Sequence, residues 1–126
     1  MRVSYIEHLD LQQLIKLIEL AYQKLTPGAC LILETPNPMS LAIFTHSFYI
    51  DPSHNKPVHP LTIKYLLEKA GFHDIELIFP ENSRLPVKMP ELTIENSEQI
   101  YVFNDAMKEV EKTLFGSQDY AVIARK

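Results

Sequence analysis

The residues with the most chemical capacity lie between Phe48 and Lys56, where Phe48 and Tyr49 precede Asp51, and His54 follows three positions after that carboxylate. A carboxylate and an imidazole supply hydrogen bonds, aromatic faces supply stacking, and Lys56 adds charge, a set suited to a hydroxylated small molecule such as a sugar. The same spacing also suits a rigid turn in which Asp51 bonds its own backbone ahead of Ser53 and His54. Loops this dense in polar groups often do both, so both readings stand at this level. His46, His54, His59 and His73, taken with Asp51, raise the question of a metal ion. Seven residues separate His46 from His54 and four separate His54 from His59, which matches no pair one helical turn apart. No metal site is expected from this pattern, and the histidines read as solvated loop residues.

Three helical stretches and the strands after them must position these groups. Asp10 to Leu25 places Leu11, Leu14, Ile15, Ile18, Ala21, Tyr22 and Leu25 on one side, with Asp10 as its N-cap and Thr26-Pro27-Gly28 as its stop. Ala29 to Leu33 is a continuous apolar run, expected to be a central strand covered on both faces, and Pro36-Asn37-Pro38 ends it. A second helix is predicted over Leu61 to Ala70 with Leu61, Tyr65, Leu66 and Leu67 apolar, followed by a strand over Ile75 to Phe79. Residues 80–96 carry Pro80, Pro86 and Pro90 without periodicity and are expected to form an insertion or loop. A third helix starts at Ser97 and places Ile100, Phe103, Met107, Val110 and Leu114 on one face, with Tyr101, Phe103 and Phe115 expected in the core. Tyr120 to Ala124 closes the pattern as a strand. Gly28, Gly71 and Gly116 each fall between a helix and a strand, where glycine in the left-handed conformation ends a helix at no steric cost. The fold class is therefore α/β, in one domain or part of one. Loops at the carboxyl ends of strands hold ligands in such folds, which makes Asn37 and the Phe48 to Lys56 loop the binding side.

Composition narrows the function classes. At 126 residues, 46% hydrophobic and with a formal charge of −4, the chain is an ordinary globular one with no basic footprint for nucleic acid. Cys30, the only cysteine, lies in an apolar run and is expected to be a buried thiol in a reducing compartment. No apolar stretch approaches the length of a membrane span or a secretory signal, so no membrane partner is expected and cytoplasmic residence is the natural expectation.

Three segments, in order, resemble the C-terminal half of a class I S-adenosylmethionine-dependent methyltransferase domain of the small-molecule and sugar-modifying type. Tyr5-Ile6-Glu7-His8-Leu9 is similar to the Glu-His-Leu that follows the family's fourth strand. Ala21 to Pro38, with Lys24-Leu25-Thr26-Pro27-Gly28 at its turn, is similar to the family's helix, Lys-Pro-Gly turn, fifth strand and loop. Leu66 to Phe72 is similar to the helix-Ala-Gly-Phe turn leading into the sixth strand. The resemblance implies a Rossmann-like three-layer sandwich in which residues 1–126 supply a partial sheet: the tail of strand four, then strands five, six and seven, the last antiparallel.

The resemblance also implies S-adenosylmethionine as cofactor, with its main binding loop absent, since Glu7, Glu34 and Asp51 follow no Gly-x-Gly turn. Residues after strand four lie beside the transferred methyl in the family, which implies that Glu7 and His8 line the cofactor pocket and that His8 is the catalytic base toward an acceptor hydroxyl. An imidazole titrating near ~6.5 suits that work, while a structural hydrogen bond near Asp10 is the other role His8 could fill. Asn37, Phe48, Tyr49, Asp51 and His54 become the binding residues for a small-molecule acceptor such as a sugar. Half a sheet leaves an open inner edge, so the isolated chain is expected to be inactive or nearly so, and to form a homo-oligomer or require a complementing N-terminal half. A non-catalytic truncated module acting in self- or hetero-association is the alternative.

Overall fold

The computed structural model describes residues 1–93 and 97–126. Four strands form one mixed sheet: β1 (Arg2–Val3), β2 (Cys30–Pro36), β3 (His73–Ile78) and β4 (Asp119–Arg125), in the order β1-β2-β4-β3. β1 runs parallel to β2, and β4 runs antiparallel to both of its neighbours. The final strand is thus antiparallel, inserted between β2 and β3, as the resemblance implies.

The helices obey their local signals. α1 (Leu11–Lys24) starts at a reciprocal capping box in which Asp10 Oδ1 accepts from the Gln13 backbone at 2.8 Å while Gln13 Oε1 accepts from the Asp10 backbone at 3.0 Å. A five-residue helix, α2 (Ala42–His46), follows β2, and α3 (Pro60–Ala70) has Pro60 in its first turn and Gly71 as a left-handed cap. The last helix, α4 (Glu98–Phe115), leads into β4.

The core forms where strand periodicity meets these helices. Leu31, Leu33 and Thr35 of β2 are buried on one face, directly opposite Ala124, Val122 and Tyr120 of β4. Leu14, Ile18 and Ala21 of α1 and Ile63 and Leu67 of α3 cover that face, each large side chain contributing about 1.5–3 kcal/mol. The opposite face, including Cys30, Ile32, Ala121 and Ile123, is only half-buried. This corrects three expectations. β2 alternates instead of being covered on both sides, the Cys30 thiol is half-exposed, and the described residues form two layers where a three-layer sandwich was expected. The residues that would make the third layer are not among them.

α4 buries none of its residues, and Tyr101 and Phe103, expected in the core, are exposed because nothing described here covers their face. On α3 the inward positions are Ile63 and Leu67, while Leu61 and Tyr65 face outward. Gly28 and Gly71 take positive φ, but Gly116, at φ −63°, does not. It is needed there for space, since a Cβ would collide with the carbonyl oxygen of Lys112.

The 80–96 segment docks over its described length. Gln118 N donates to Ser83 O at 3.2 Å, Met89 N donates to Glu111 Oε2 at 2.7 Å, and Asn104 bonds both backbone groups of Leu92. Its last three residues, 94–96, lie outside the described residues.

Candidate functional site

A short 3-10 turn, Ile6–His8, leaves the carboxyl end of β1 and points Glu7 inward, 6% exposed, beside a half-buried His8. The loop after α2 makes a second such turn, Phe48–Ile50, and then an Asx turn in which Ser53 N donates to Asp51 Oδ1 at 2.8 Å. Asn55 ties the two segments together, its backbone N–H donating to Glu7 O at 2.8 Å and its side chain to Leu9 O at 3.3 Å. The result brings Glu7, His8, Asp51 and His54, remote in sequence, into one cluster.

Hydrogen bonds fix how each ring is turned. His54 Nδ1 lies 2.7 Å from the Phe48 carbonyl, an acceptor only, so Nδ1 carries the proton and Nε2 the lone pair. The single Ser53 hydroxyl proton goes to Asp51 Oδ1 at 2.6 Å, which makes Ser53 Oγ the acceptor for His8 Nδ1–H at 2.9 Å. Both Nε2 atoms then face the same oxygen, Glu7 Oε1, at 3.7 Å from His8 and 3.8 Å from His54. Glu7 Oε2 accepts from the Thr35 hydroxyl at 2.9 Å. Asp51 Oδ2 lies 3.8 Å from His54 Nε2. The hydrogen bonds from the Ser53 side chain, then from its backbone, hold the Asp51 carboxyl below its ordinary range, with His54 and His8 adding to the effect. Phe48 is buried with its ring 4.7 Å from that of His54, whereas Tyr49 is largely exposed and touches Phe48 edge-on.

Asn37 stands apart. Its Nδ2 donates to Ser117 O at 2.9 Å and its Oδ1 accepts from Met39 N at 3.1 Å, so both side-chain atoms bond the backbone around them. His46 is exposed on α2, His59 caps α3 by accepting from Leu61 N, and His73 pairs with Asp74.

Glu7 also lines a cleft of about 620 Å³ with Ser4, Glu34, Thr35, Asp119 and Tyr120, across the carboxyl ends of β1 and β2 and the start of β4. Thr35, Ser53 and Asp119 were not marked in the sequence. Thr35 had a usable signal, since it continues the period-2 face of Leu31 and Leu33 to the end of its strand. Partial removal from water pushes the Asp119 carboxyl above its usual range, and Glu7 and Glu34 nearby push the same way. Among the described residues no helix is long and apolar enough to cross a membrane.

The mixed sheet, with α1 and α3 on one face, defines a Rossmann-like α/β unit. No family model and no curated protein matches the sequence. Among solved structures, a SAM dependent methyltransferase from Archaeoglobus fulgidus is similar over 99% of this chain and 57% of its own, at 40% identity and a TM-score of 0.84. The chain therefore spans little more than half the length of that methyltransferase.

Proposed function

We propose that this chain is the acceptor-side, C-terminal portion of an S-adenosylmethionine-dependent methyltransferase that acts on a small hydroxylated molecule such as a sugar. The observation that carries the proposal is the 40% identity extending across 99% of the chain at a TM-score of 0.84. The cofactor itself does not fit the residues present. Gly28 and Gly71 follow helices at positive φ, Gly116 sits beneath the end of α4, and none of the three belongs to a Gly-x-Gly turn. In this reading the cofactor is held by residues other than these.

What this chain contributes is positioning and a base. Asp51 Oδ2 and His54 Nε2 accept hydrogen bonds from the acceptor's hydroxyls, and the exposed Tyr49 ring offers a stacking face. His8 Nε2, left unprotonated by the bond from Nδ1 to Ser53, takes the hydroxyl proton when no cation occupies the cluster. Glu7 beside it stabilises the imidazolium that forms.

Calorimetric titration of S-adenosylmethionine tests the reading. The chain alone is expected to bind more weakly than about 1 mM, roughly 4 kcal/mol, and to bind more tightly once joined to the portion of the Archaeoglobus enzyme that it does not match. Tighter binding by the chain alone rejects the partial-domain reading, and a folded joined protein that ignores the cofactor rejects the methyltransferase reading. The half-bare face and the uncovered α4 also support self-association as a second reading, which a clean, well-folded monomer in light scattering rules out.

A further inference from the structure

We propose that Glu7, His8 and His54 form a binding site for a divalent transition-metal ion of the zinc class. Their three ligand atoms lie within 4.8 Å of one another, with Glu7 buried and both histidines half-buried. Three features favour an ion over a chance meeting of side chains.

First, both rings are turned for it. His54 Nδ1–H is committed to the Phe48 carbonyl and His8 Nδ1–H to Ser53 Oγ, itself anchored on Asp51, so the two Nε2 lone pairs converge. Backbone or carboxylate-linked acceptors behind a ring are how proteins fix the ligating nitrogen of metal-bound histidine.

Second, the carboxylate calls for a cation. Glu7 is 94% buried, only Thr35 donates to it among the described residues, and its Oε1 has both Nε2 atoms within 3.8 Å without a hydrogen bond from either. A buried carboxylate with a single neutral donor is costly unless positive charge sits beside it.

Third, the spacing is close. Tetrahedral ligands about 2.0–2.1 Å from zinc lie roughly 3.3–3.4 Å apart; the Glu7–histidine gaps of 3.7 and 3.8 Å exceed this by a few tenths of an ångström, and the two Nε2 atoms, within 4.8 Å of each other, by no more than about 1.5 Å. Two imidazoles and one carboxylate leave a coordination position open, and Glu7 borders the 620 Å³ cleft in which a ligand oxygen could occupy it. With the ion bound, His8 is a ligand and the ion lowers the pKa of that oxygen in its place.

The test is titration of the full chain with zinc chloride at neutral pH, with cobalt(II) as a spectroscopic probe. One equivalent is expected to bind with a Kd below about 10 μM and to raise the melting temperature. His8→Ala and His54→Ala should each weaken binding at least ~100-fold, and Ser53→Ala ~10-fold through loss of ring orientation. His46→Ala and His59→Ala should leave it unchanged. Far-ultraviolet circular dichroism checks folding, and if His54→Ala unfolds, His8→Gln at the half-exposed position decides instead. Wild-type affinity weaker than ~100 μM, or binding that survives loss of His8 and His54, overturns the proposal.

Discussion

Thr35 Oγ donates a 2.9 Å hydrogen bond to Glu7 Oε2, joining the end of β2 to the turn after β1 across 28 residues of sequence. Both residues are buried. Thr35 is the only donor to this carboxylate among the described residues, so it both anchors the site and keeps the other carboxylate oxygen turned toward the histidines.

Thr35→Val keeps the shape and removes the donor. Loss of about 1–3 kcal/mol is expected from urea unfolding, because the buried carboxylate is left without a hydrogen bond. A change under about 0.5 kcal/mol would mean that water reaches Glu7 and that the site is wetter than its burial indicates.

Tyr120 is buried on the core face of β4, and its hydroxyl donates to Val58 O at 2.7 Å, holding the loop that carries His54 against the sheet. Burial, with a smaller contribution from Glu7, pushes its phenol well above the ordinary value. A raised folded-state pKa means that this contribution is complete below the unfolded value, about 10, and is lost as pH climbs past it. Tyr120→Phe should cost about 1–2 kcal/mol at neutral pH and flatten the fall in stability above about pH 10. An unchanged alkaline slope would count against this account.

Asp119, at the mouth of the cleft, behaves in the same sense at lower pH. Its raised carboxyl holds a proton longer in the folded state, so its contribution is present below the unfolded value of about 4 and declines as pH rises. Asp119→Asn should be at least as stable as the wild type at pH 7, with that advantage vanishing near pH 3. A variant less stable at pH 7 than at pH 3, relative to wild type, would show the carboxylate to be stabilising.

Gly71 ends α3 at φ +107°, and a Cβ there would sit 2.8 Å from the Tyr22 ring, which packs edge-on against Phe72. Gly71→Ala should cost about 1–3 kcal/mol from left-handed strain and displacement of that ring. In a Tyr22→Ala background the steric part should disappear, so a double-mutant cycle with no coupling would assign the whole cost to the backbone.

The helix boundaries were legible because their causes are local. Asp10 and Gln13 cap α1, Pro60 opens α3 and Gly71 closes it, each through groups within four residues of one another. The alternation that makes β2 one-sided was less visible, since Cys30 and Ile32 are as apolar as Leu31 and Leu33 and only the layout of helices separates the two faces. The same holds for Tyr101 and Phe103, apolar residues whose covering layer is not among those described.

For the cluster, the sequence alone determined which chemistry was available: the Glu7-His8 pair, the Asp51 to His54 turn and the absence of a glycine cradle, all set by residue type and near spacing. Only the tertiary structure decided that Glu7 and His54, 47 positions apart, share one oxygen-centred arrangement, while Asn37 is consumed by backbone bonds and His46 and His59 stand elsewhere. The reason is physical: capping and turn formation act over a few residues, whereas the convergence of two imidazoles on a buried carboxylate depends on β1 and β2 lying side by side and on Asn55 pinning one loop to the other.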